Sequence, residues 1–116
     1  MKYLCLIYDD ERRWDHMSKE DATAGYGKYF TFTEDIRASG HYVNGNPLKP
    51  TSTATTVRVR NATVSTTDGP FAETKEQLGG YYLIEANDMA DAVAIATRIP
   101  VGDGGAVEVR PILPMG

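Results

Sequence analysis

Two short segments of the chain carry apolar side chains on both faces that a β-strand presents, and this pattern restricts the fold more than any other feature. The segments are residues 2–8 and 80–86, which read KYLCLIY and GYYLIEA. A strand with one face in water alternates apolar and polar residues, whereas a strand covered on both faces is apolar at successive positions. We therefore expect both segments to be central strands of a sheet that is covered above and below.

Two helices are predicted between the strands. The first begins with a capping box at residues 18–21 and ends at Gly40, a residue suited to a helix C-terminus. Its apolar positions recur at helical spacing and are interpreted as facing the core: Ala22, Tyr26, Tyr29, Phe30, Thr33 and Ile36. The second helix is predicted over residues 89–99, with residues 87–88 as its cap and Pro100 as its stop.

The connection before the first helix, residues 9–20, is rich in charged side chains and is interpreted as irregular. Its Trp14 is expected either to fold back as a lid or to dock on a partner chain. Its His16 is expected to be solvated. Gly25 and Gly27 weaken the first half of the helix, which leaves open a start later than the capping box.

The remaining strands complete an α+β pattern. They are predicted over residues 41–48, 54–60, 63–66 and 106–112, and a tight turn joins the middle two as a hairpin. This order predicts a ferredoxin-like sandwich with an inserted β-hairpin, in one domain spanning residues 1–116. Two helices cover only one face of such a sheet, and a second copy of the sheet is the simplest cover for the other. We therefore expect a homodimer, packed sheet to sheet, with a cleft between or beside the sheets.

The composition argues against several classes of protein. A net charge of −4 over 116 residues argues against a nucleic-acid-binding face. No apolar run is long enough to cross a membrane, so no membrane association is expected. The single cysteine, Cys5, is interpreted as a buried packing residue without a disulfide. The two histidines lie far apart, so no metal is expected, and no other cofactor is expected either. The cytoplasm is the expected location.

The longest connection, residues 68–82, begins with a tight turn. Its first three residues are Asp, Gly and Pro, which are typical of turns, and Phe71 is expected to anchor that turn to a core. Glu73, Lys75 and Glu76 follow. Long connections are often functional. One interpretation is a surface loop with solvated charges, and the other is a loop that borders a pocket and directs a charged side chain into it.

The sequence of this connection, DGPFAETKEQLGGYY, resembles the signature of the YCII-related superfamily in its DGPF-domain branch. Three further segments match as well: MKYL at 1–4, ATTVR at 54–58 and EVRP at 108–111. The resemblance covers nearly the whole chain and implies a dimeric α+β barrel of ferredoxin-like subunits. Its relatives include small-molecule enzymes of the muconolactone-isomerase and dehydrochlorinase kind, and some are encoded near, or fused to, extracytoplasmic-function sigma factors.

The chain departs from the catalytic members of that superfamily at the residues that carry their chemistry. Those members are thought to use a His on the first helix and an Asp in an Asp-Pro pair after the second helix. Here Tyr29 and Phe30 stand near the first position, and the second pair reads Ile99-Pro100. His41 directly follows Gly40 and is no obvious substitute. The dyad mechanism is therefore not carried over to this chain.

The candidate ligand-binding residues lie on the connection 68–82 and on the strands beside it. They are Tyr8, Asp68, Phe71, Glu73, Lys75, Glu76, Tyr82 and Arg110. A Glu–Lys pair beside tyrosine hydroxyls in a partly dry cleft suits acid/base work on a small cyclic or aromatic acid. The alternative for the charged residues is that they fix the loop to the sheet through ion pairs with Arg58, Arg110 or Glu108. No catalytic residue is assigned.

Two functions are consistent with these observations. The first is a small-molecule-binding dimeric barrel, including an acid/base enzyme. The second is a non-catalytic regulatory or interaction module associated with sigma-factor transcription. An enzyme predicts an enclosed pocket that contains a carboxylate or a Tyr from residues 68–82. An interaction module predicts an exposed apolar patch, or burial of Phe71 and the charges that follow it.

Overall fold

A computed structural model describes residues 1–115 as an α+β subunit. The strands are β1 (Lys2–Asp9), β2 (Tyr42–Pro47), β3 (Thr55–Arg60), β4 (Thr63–Asp68), β5 (Gln77–Glu85) and β6 (Ala106–Pro111). The helices are α1 (Glu11–Asp15), α2 (Lys19–Ala38) and α3 (Met89–Ala96), with one 3₁₀ turn at Thr51–Thr53. This arrangement confirms the predicted α+β class and is consistent with a ferredoxin-like fold.

Four of the strands form one antiparallel sheet, and its order places the two doubly apolar segments at the centre. The order is β2-β5-β1-β6, so β1 and β5 each have a neighbour on both sides. Cys5 lies opposite Tyr82 of β5 and opposite Val109 of β6. Strands β3 and β4 pair only with each other among the described strands, as the inserted hairpin.

The hydrophobic core lies between this sheet and the helices. Alternate residues of the central strands point toward α2 and α3 and are buried: Tyr3, Cys5, Ile7, Tyr82 and Ile84. Helix α2 contributes Phe32 and Ile36, and α3 contributes Ala92, Ile95 and Ala96. Burying an isoleucine such as Ile36 contributes about 1.5–3 kcal/mol relative to leaving it exposed.

Both predicted ends of the first helix and the predicted start of the second are confirmed. The Ser18 hydroxyl accepts from the backbone N–H of Asp21 at 3.1 Å, and α2 begins at the next residue, Lys19. Gly40 has a φ of +82° and follows the helix as predicted, a conformation that glycine adopts without strain. Helix α3 begins at Met89 as predicted but ends at Ala96, three residues before the predicted end.

The charged connection contains the short helix α1, and its Trp14 explains one of the glycines in α2. A Cβ atom added to Gly25 would lie 2.9 Å from the Trp14 ring, so glycine allows the tryptophan to lie directly on the helix. The Trp14 and Tyr26 rings lie 5.2 Å apart between centroids. Of the two predicted positions, Trp14 therefore adopts the folded-back one within its own chain.

Two aromatic residues of α2 contradict the prediction that they belong to the core. Tyr26 and Phe30 expose 65% and 68% of their surface, whereas Tyr29 is half-buried as predicted. The reason is geometric, because the core contacts of Phe32 and Ile36 fix the rotation of the helix. Tyr26 and Phe30, four residues apart, share a stripe that this rotation turns outward.

Strands β3 and β4 form a hairpin arm, residues 55–68, that projects from the subunit. The two residues of its turn, Asn61 and Ala62, have φ values of +49° and +63°, as a two-residue hairpin turn requires. The radius of gyration is 16.1 Å, against about 13 Å for a compact chain of this length. The difference reflects this arm, whose strands are exposed at nearly every residue.

Candidate functional site

The sheet has a second, largely apolar face on the side away from the helices, and we call it the open face. It is formed by the central-strand residues that alternate with the buried ones. Leu4 lies opposite Leu83, and Leu6 lies opposite Tyr81 in the β1–β5 pairing. These four side chains are half-buried by one another, although the helices contact the other face. Two central strands are thus apolar on both sides, as the sequence indicated.

Polar side chains border the open face on its two edge strands. On the β2 side, the Asn46 side-chain amide donates to the Tyr81 hydroxyl at 2.9 Å. On the β6 side, Glu108 lies opposite Leu6 and forms an ion pair with Arg110 on the same strand. An apolar floor with hydroxyl, amide and guanidinium groups at its border suits a small ring that carries polar substituents.

The predicted site residues Tyr8 and Arg110 lie on this open face. Tyr8 is paired with Ala106 and Leu78 and is half-buried. Arg110 lies opposite Leu4, with its guanidinium in contact with Glu108. Pairing of Arg110 with a neighbouring carboxylate is the arrangement expected of an edge-strand arginine.

Tyr82 is the predicted site residue that lies elsewhere, because the strand parity places it in the core. Its ring contacts Phe32 edge to face at 5.1 Å, and its hydroxyl shares a 2.8 Å hydrogen bond with Thr33. Burial raises the pKa of Tyr82 above that of an ordinary tyrosine. The neighbouring Tyr81, the other tyrosine at the end of the segment 68–82, occupies the open face instead.

The signature turn closes the base of the hairpin arm. The backbone N–H of Gly69 donates to the carbonyl of Ala54 at 2.7 Å, and the Thr56 hydroxyl donates to the Gly69 carbonyl at 2.8 Å. Gly69 has a φ of +105°, which explains why glycine follows Asp68 here. Asp68 is exposed at the end of β4.

Phe71 does not anchor this turn to the core of its own subunit, so that prediction is wrong. It exposes 77% of its surface, and its ring lies 5.5 Å from the Arg58 guanidinium carbon. The physical reason is that the turn follows the arm and not the sheet. Phe71 therefore contacts the arginine-bearing side of the arm, and no core lies within its reach.

The charged residues of the signature segment are not fixed by the expected ion pairs. Glu73 and Lys75 are exposed and Glu76 is half-buried, and within residues 1–115 none of the three forms an ion pair. Gln77 holds the segment instead. Its amide nitrogen donates to the carbonyl of Thr74 at 2.6 Å, while its amide oxygen accepts from the N–H of Glu11 at 2.9 Å.

An ion pair between the buried Asp9 and the half-buried Arg13, at the end of β1, was not foreseen from the sequence. The carboxylate of Asp9 is 2.5 Å from the Arg13 guanidinium and also accepts from the N–H of Asp10 at 2.9 Å. This pair raises the pKa of Arg13. The available signal was the strand alternation, since Asp9 continues the buried series of Tyr3 and Cys5 and precedes an arginine by four residues.

The same pair influences its surroundings on two sides. The guanidinium of Arg13 lies so close to Gly102 that a side chain at that position would collide with it. Burial raises the pKa of Tyr29 to about 12, and the negative charge of Asp9 adds to that effect. Every buried side-chain nitrogen and oxygen in residues 1–115 has a hydrogen-bond partner, so this cluster is a satisfied tie between β1, α1 and the loop before β6.

Two grooves lie on the helical side of the molecule, and residues of the signature segment line neither of them. The larger has a volume of about 570 Å³ and passes between α2 and the segment after α3. Arg98 crosses it, with its guanidinium 3.6 Å from the Asp35 carboxylate and 5.9 Å from the Phe32 ring centre. Both of these grooves thus lie away from the signature segment, and the helices leave the open face of the sheet uncovered.

Residues 1–115 contain neither a membrane-spanning helix nor a metal-binding cluster. Within residues 1–115, none of the three helices is long and apolar enough to span a bilayer. The same residues contain no cluster of three or more histidine, cysteine, aspartate or glutamate side chains that could hold a metal ion.

The fold and the open face define an α+β, ferredoxin-like subunit with one uncovered apolar sheet face. Residues 1–116 match the YCII-related domain family, and the chain belongs to that family. It is also 33% identical over 114 residues to a protein of Rhizobium meliloti (strain 1021), the uncharacterized protein R00369. That match covers 97% of this chain and 92% of the relative.

Proposed function

We propose that this protein is a small-molecule-binding dimeric α+β barrel of the DGPF branch, and that its ligand lies in a hollow between two facing sheets. The observation that carries the proposal is the open face, where leucines of two central strands remain uncovered in the subunit. Contiguous apolar surface of this kind typically marks a binding site or an interface. Two copies related by a two-fold axis would present the same face to each other.

The chemistry of the open face favours a small cyclic or aromatic acid. Leu4, Leu6 and Leu83 offer an apolar floor for a ring, and the hydroxyls of Tyr8 and Tyr81 lie on the same face. Arg110 at the border offers a fork of donors that matches a carboxylate, in competition with Glu108. Excluding water between the two sheets would strengthen these polar contacts.

Acid/base turnover is the more specific form of this proposal. The positions of the superfamily's His/Asp dyad hold Tyr29, Phe30 and Ile99, so a reaction would use groups of the open face, with a tyrosine hydroxyl as proton donor. The proposal also places the protein in the cytoplasm, in keeping with a free, buried thiol at Cys5.

The proposal is tested by placing a charge on the open face. Leu83→Glu would set a carboxylate among the leucines, and Val93→Glu would set the same group on the exposed side of α3. Thermal shift with benzoate, salicylate and phenylacetate at increasing concentrations should show stabilisation by at least one acid, because binding to the folded state raises stability. We expect the shift in the wild type and in Val93→Glu, and its loss together with the dimer in Leu83→Glu.

Two results would overturn the proposal. One is a wild-type protein that is monomeric and gains no stability from any of the three acids. The other is Leu83→Glu that dimerises and binds like the wild type.

A non-catalytic interaction module is the second candidate, and a different surface favours it. Tyr26 and Phe30 form an exposed stripe on the outside of α2, continued by the half-buried Trp14. A protein partner would bury these rings, and an extracytoplasmic-function sigma factor is the first choice. Titration of that factor with the wild type and with Phe30→Ser tests this second candidate. Loss of binding in the variant would support the aromatic stripe as the docking surface. Absence of binding to the wild type would reject the candidate.

A further inference from the structure

The hairpin arm has one apolar face and one basic face. In its antiparallel register Val59 lies opposite Val64, and Val57 lies on the same side. Arg58 and Arg60 point to the other side, which Phe71 also contacts through Arg58. The exposed fraction is 59% for Val57, 65% for Val59 and 64% for Val64. Nothing in residues 1–115 covers this valine face.

Such an arm needs an external partner to be ordered. A single two-stranded hairpin is marginally stable at best in water, and an exposed strand with an apolar face invites pairing with another chain. The arm has two arginines and one aspartate, which give it a charge of +1. Because the whole chain carries −4, the remainder carries −5, so the arm and the body of a second copy attract each other.

The exposed area of the subunit fits burial against one further copy. The described chain exposes 8165 Å², whereas a compact monomer of 12.7 kDa exposes about 6,200 Å². The excess is about 1,900 Å², which lies within the roughly 1,000–2,500 Å² that each partner buries in an obligate homodimer. A dimer that covers both the open face and the arm would account for this excess.

We propose that the arms are exchanged between the two subunits, so that the valine face of each arm packs on the apolar side chains of the partner's open face. Each hollow is then formed by the sheet of one subunit and closed by the arm of the other. The binding site is therefore incomplete in a single chain. This inference rests on the proposed function, because the hollow that the arm closes is the one proposed there.

Excision of the arm tests the inference directly. Ala54 and Gly69 are already joined by a 2.7 Å backbone hydrogen bond, so residues 55–68 can be replaced by a two-glycine link without moving the sheet. We expect the excised protein to retain cooperative unfolding and its circular dichroism, and to sediment as a monomer at concentrations where the full chain is a dimer. An excised protein that dimerises as well as the full chain would overturn the exchange and leave the proposed sheet-to-sheet dimer standing.

Substitutions on the two faces of the arm keep the test valid if the excised protein does not fold. Val57→Lys with Val59→Lys charges the valine face, and Thr63→Lys with Ser65→Lys adds the same charge to the opposite face. We expect the first pair to weaken dimerisation at least tenfold and the second pair to leave it within about threefold. Equal effects of the two pairs, or no effect of the first, would contradict the assignment of the valine face and leave that face to a different protein partner.

Mixed dimers distinguish exchange between subunits from any contact within one subunit. A Thr63→Cys variant without ¹⁵N carries a nitroxide at residue 63 and is mixed with ¹⁵N-labelled wild type. Cys5 is buried and therefore does not react with the nitroxide reagent. We expect broadening of the Leu4, Leu6 and Leu83 amides in the labelled chain. Broadening confined to arm amides of the ¹⁵N-labelled chain, or no broadening, would overturn the exchange. A wild type that does not dimerise would overturn both the exchange and the proposed function.

Discussion

The central sheet and the hairpin arm are built from the same strand alternation, yet they differ completely in burial. In β1, every second residue from Tyr3 to Asp9 is buried under the helices. In β3 and β4, nearly every residue is exposed, although three valines share one face. The difference teaches that alternation determines where strands form, whereas burial depends on what else lies nearby. The open face and the valine face of the arm are two apolar surfaces that the single chain leaves uncovered. In the proposed dimer, the arm of one subunit covers the open face of the other.

The two faces of the sheet can be compared at neighbouring residues, and this comparison has the largest expected effect. Ile84 is fully buried among the helices, and Leu83 faces the open side. Ile84→Ala should lower the free energy of unfolding by about 2–5 kcal/mol, because it leaves a cavity in a packed core. Leu83→Ala should cost less within the subunit and should weaken dimerisation. Urea unfolding at several protein concentrations measures both, and an equal concentration-independent loss in the two variants would contradict the comparison.

A pH dependence should appear on the helix side of the sheet alone. An unfolded tyrosine releases its proton near pH 10, whereas Tyr29 in the fold does so at about 12. Between these values the folded state keeps a proton that the unfolded state has lost, so rising pH favours unfolding. Tyr29 should therefore contribute fully below pH 10 and lose about 1–2 kcal/mol of stability by pH 12.

Chemical unfolding between pH 8 and pH 12 measures this dependence, with Tyr29→Phe as the variant that should make it shallower. Cys5 and Tyr82, whose pKa values burial also raises, should keep their share of the loss. Tyr26→Phe, at an exposed position of the same helix, serves as the control and should behave like the wild type. A Tyr29→Phe profile as steep as that of the wild type would show that other groups cause the loss.

The adjacent tyrosines of β5 provide a smaller contrast. Tyr82 shares a 2.8 Å hydrogen bond with Thr33 in the core, and Tyr81 accepts from Asn46 near the surface. Tyr82→Phe should lower stability by about 1 kcal/mol, since it leaves the half-buried Thr33 hydroxyl with one hydrogen-bond partner fewer. Tyr81→Phe should change stability by less than about 0.5 kcal/mol. Thermal unfolding of the two variants measures this difference. A larger loss of stability for Tyr81→Phe would contradict the assignment of Tyr82 to the core and Tyr81 to the open face.

The smallest effect is expected at the arm turn. Ala62 has a φ of +63°, which strains any side chain, and glycine removes that strain. Ala62→Gly should raise the local stability of the arm by up to about 1 kcal/mol and should leave the stability of the four-stranded sheet unchanged. Hydrogen exchange should show slower exchange in β3 and β4 and no change in β1 or β5. Faster exchange in the arm would contradict the turn geometry.

The sequence predicted the framework because strand and helix signals are local. The doubly apolar pattern of 2–8 and 80–86, the cap at Ser18 and the glycine at residue 40 each act within a few residues. The central strands and the two ends of α2 that they predicted were confirmed. The rotation of α2 was not predictable, because aromatic residues occur on more than one side of it and only the core contacts of Phe32 and Ile36 select one. Tyr26 and Phe30 were misplaced for that reason.

The candidate site was less predictable, because it depends on strand parity and on distant contacts. Tyr82 was chosen over Tyr81, although the register that decides between them is set by pairing with β1. Phe71 was expected in a core, but the segment that carries it follows the projecting arm. The tie between Asp9 and Arg13 was missed because both residues were assigned to the charged connection, although Asp9 continues the buried series of β1.

The molecular mass of the wild-type protein in solution tests the central claim most directly, which is that a second copy covers the open face. Sedimentation equilibrium over a range of concentrations, combined with hydrogen exchange, measures both the mass and the cover. We expect twice the mass of one chain and slow exchange at the amides of Leu4, Leu6 and Leu83 that follows the dimer population. A single-chain mass at all concentrations, with exchange at these amides independent of concentration, would contradict the account.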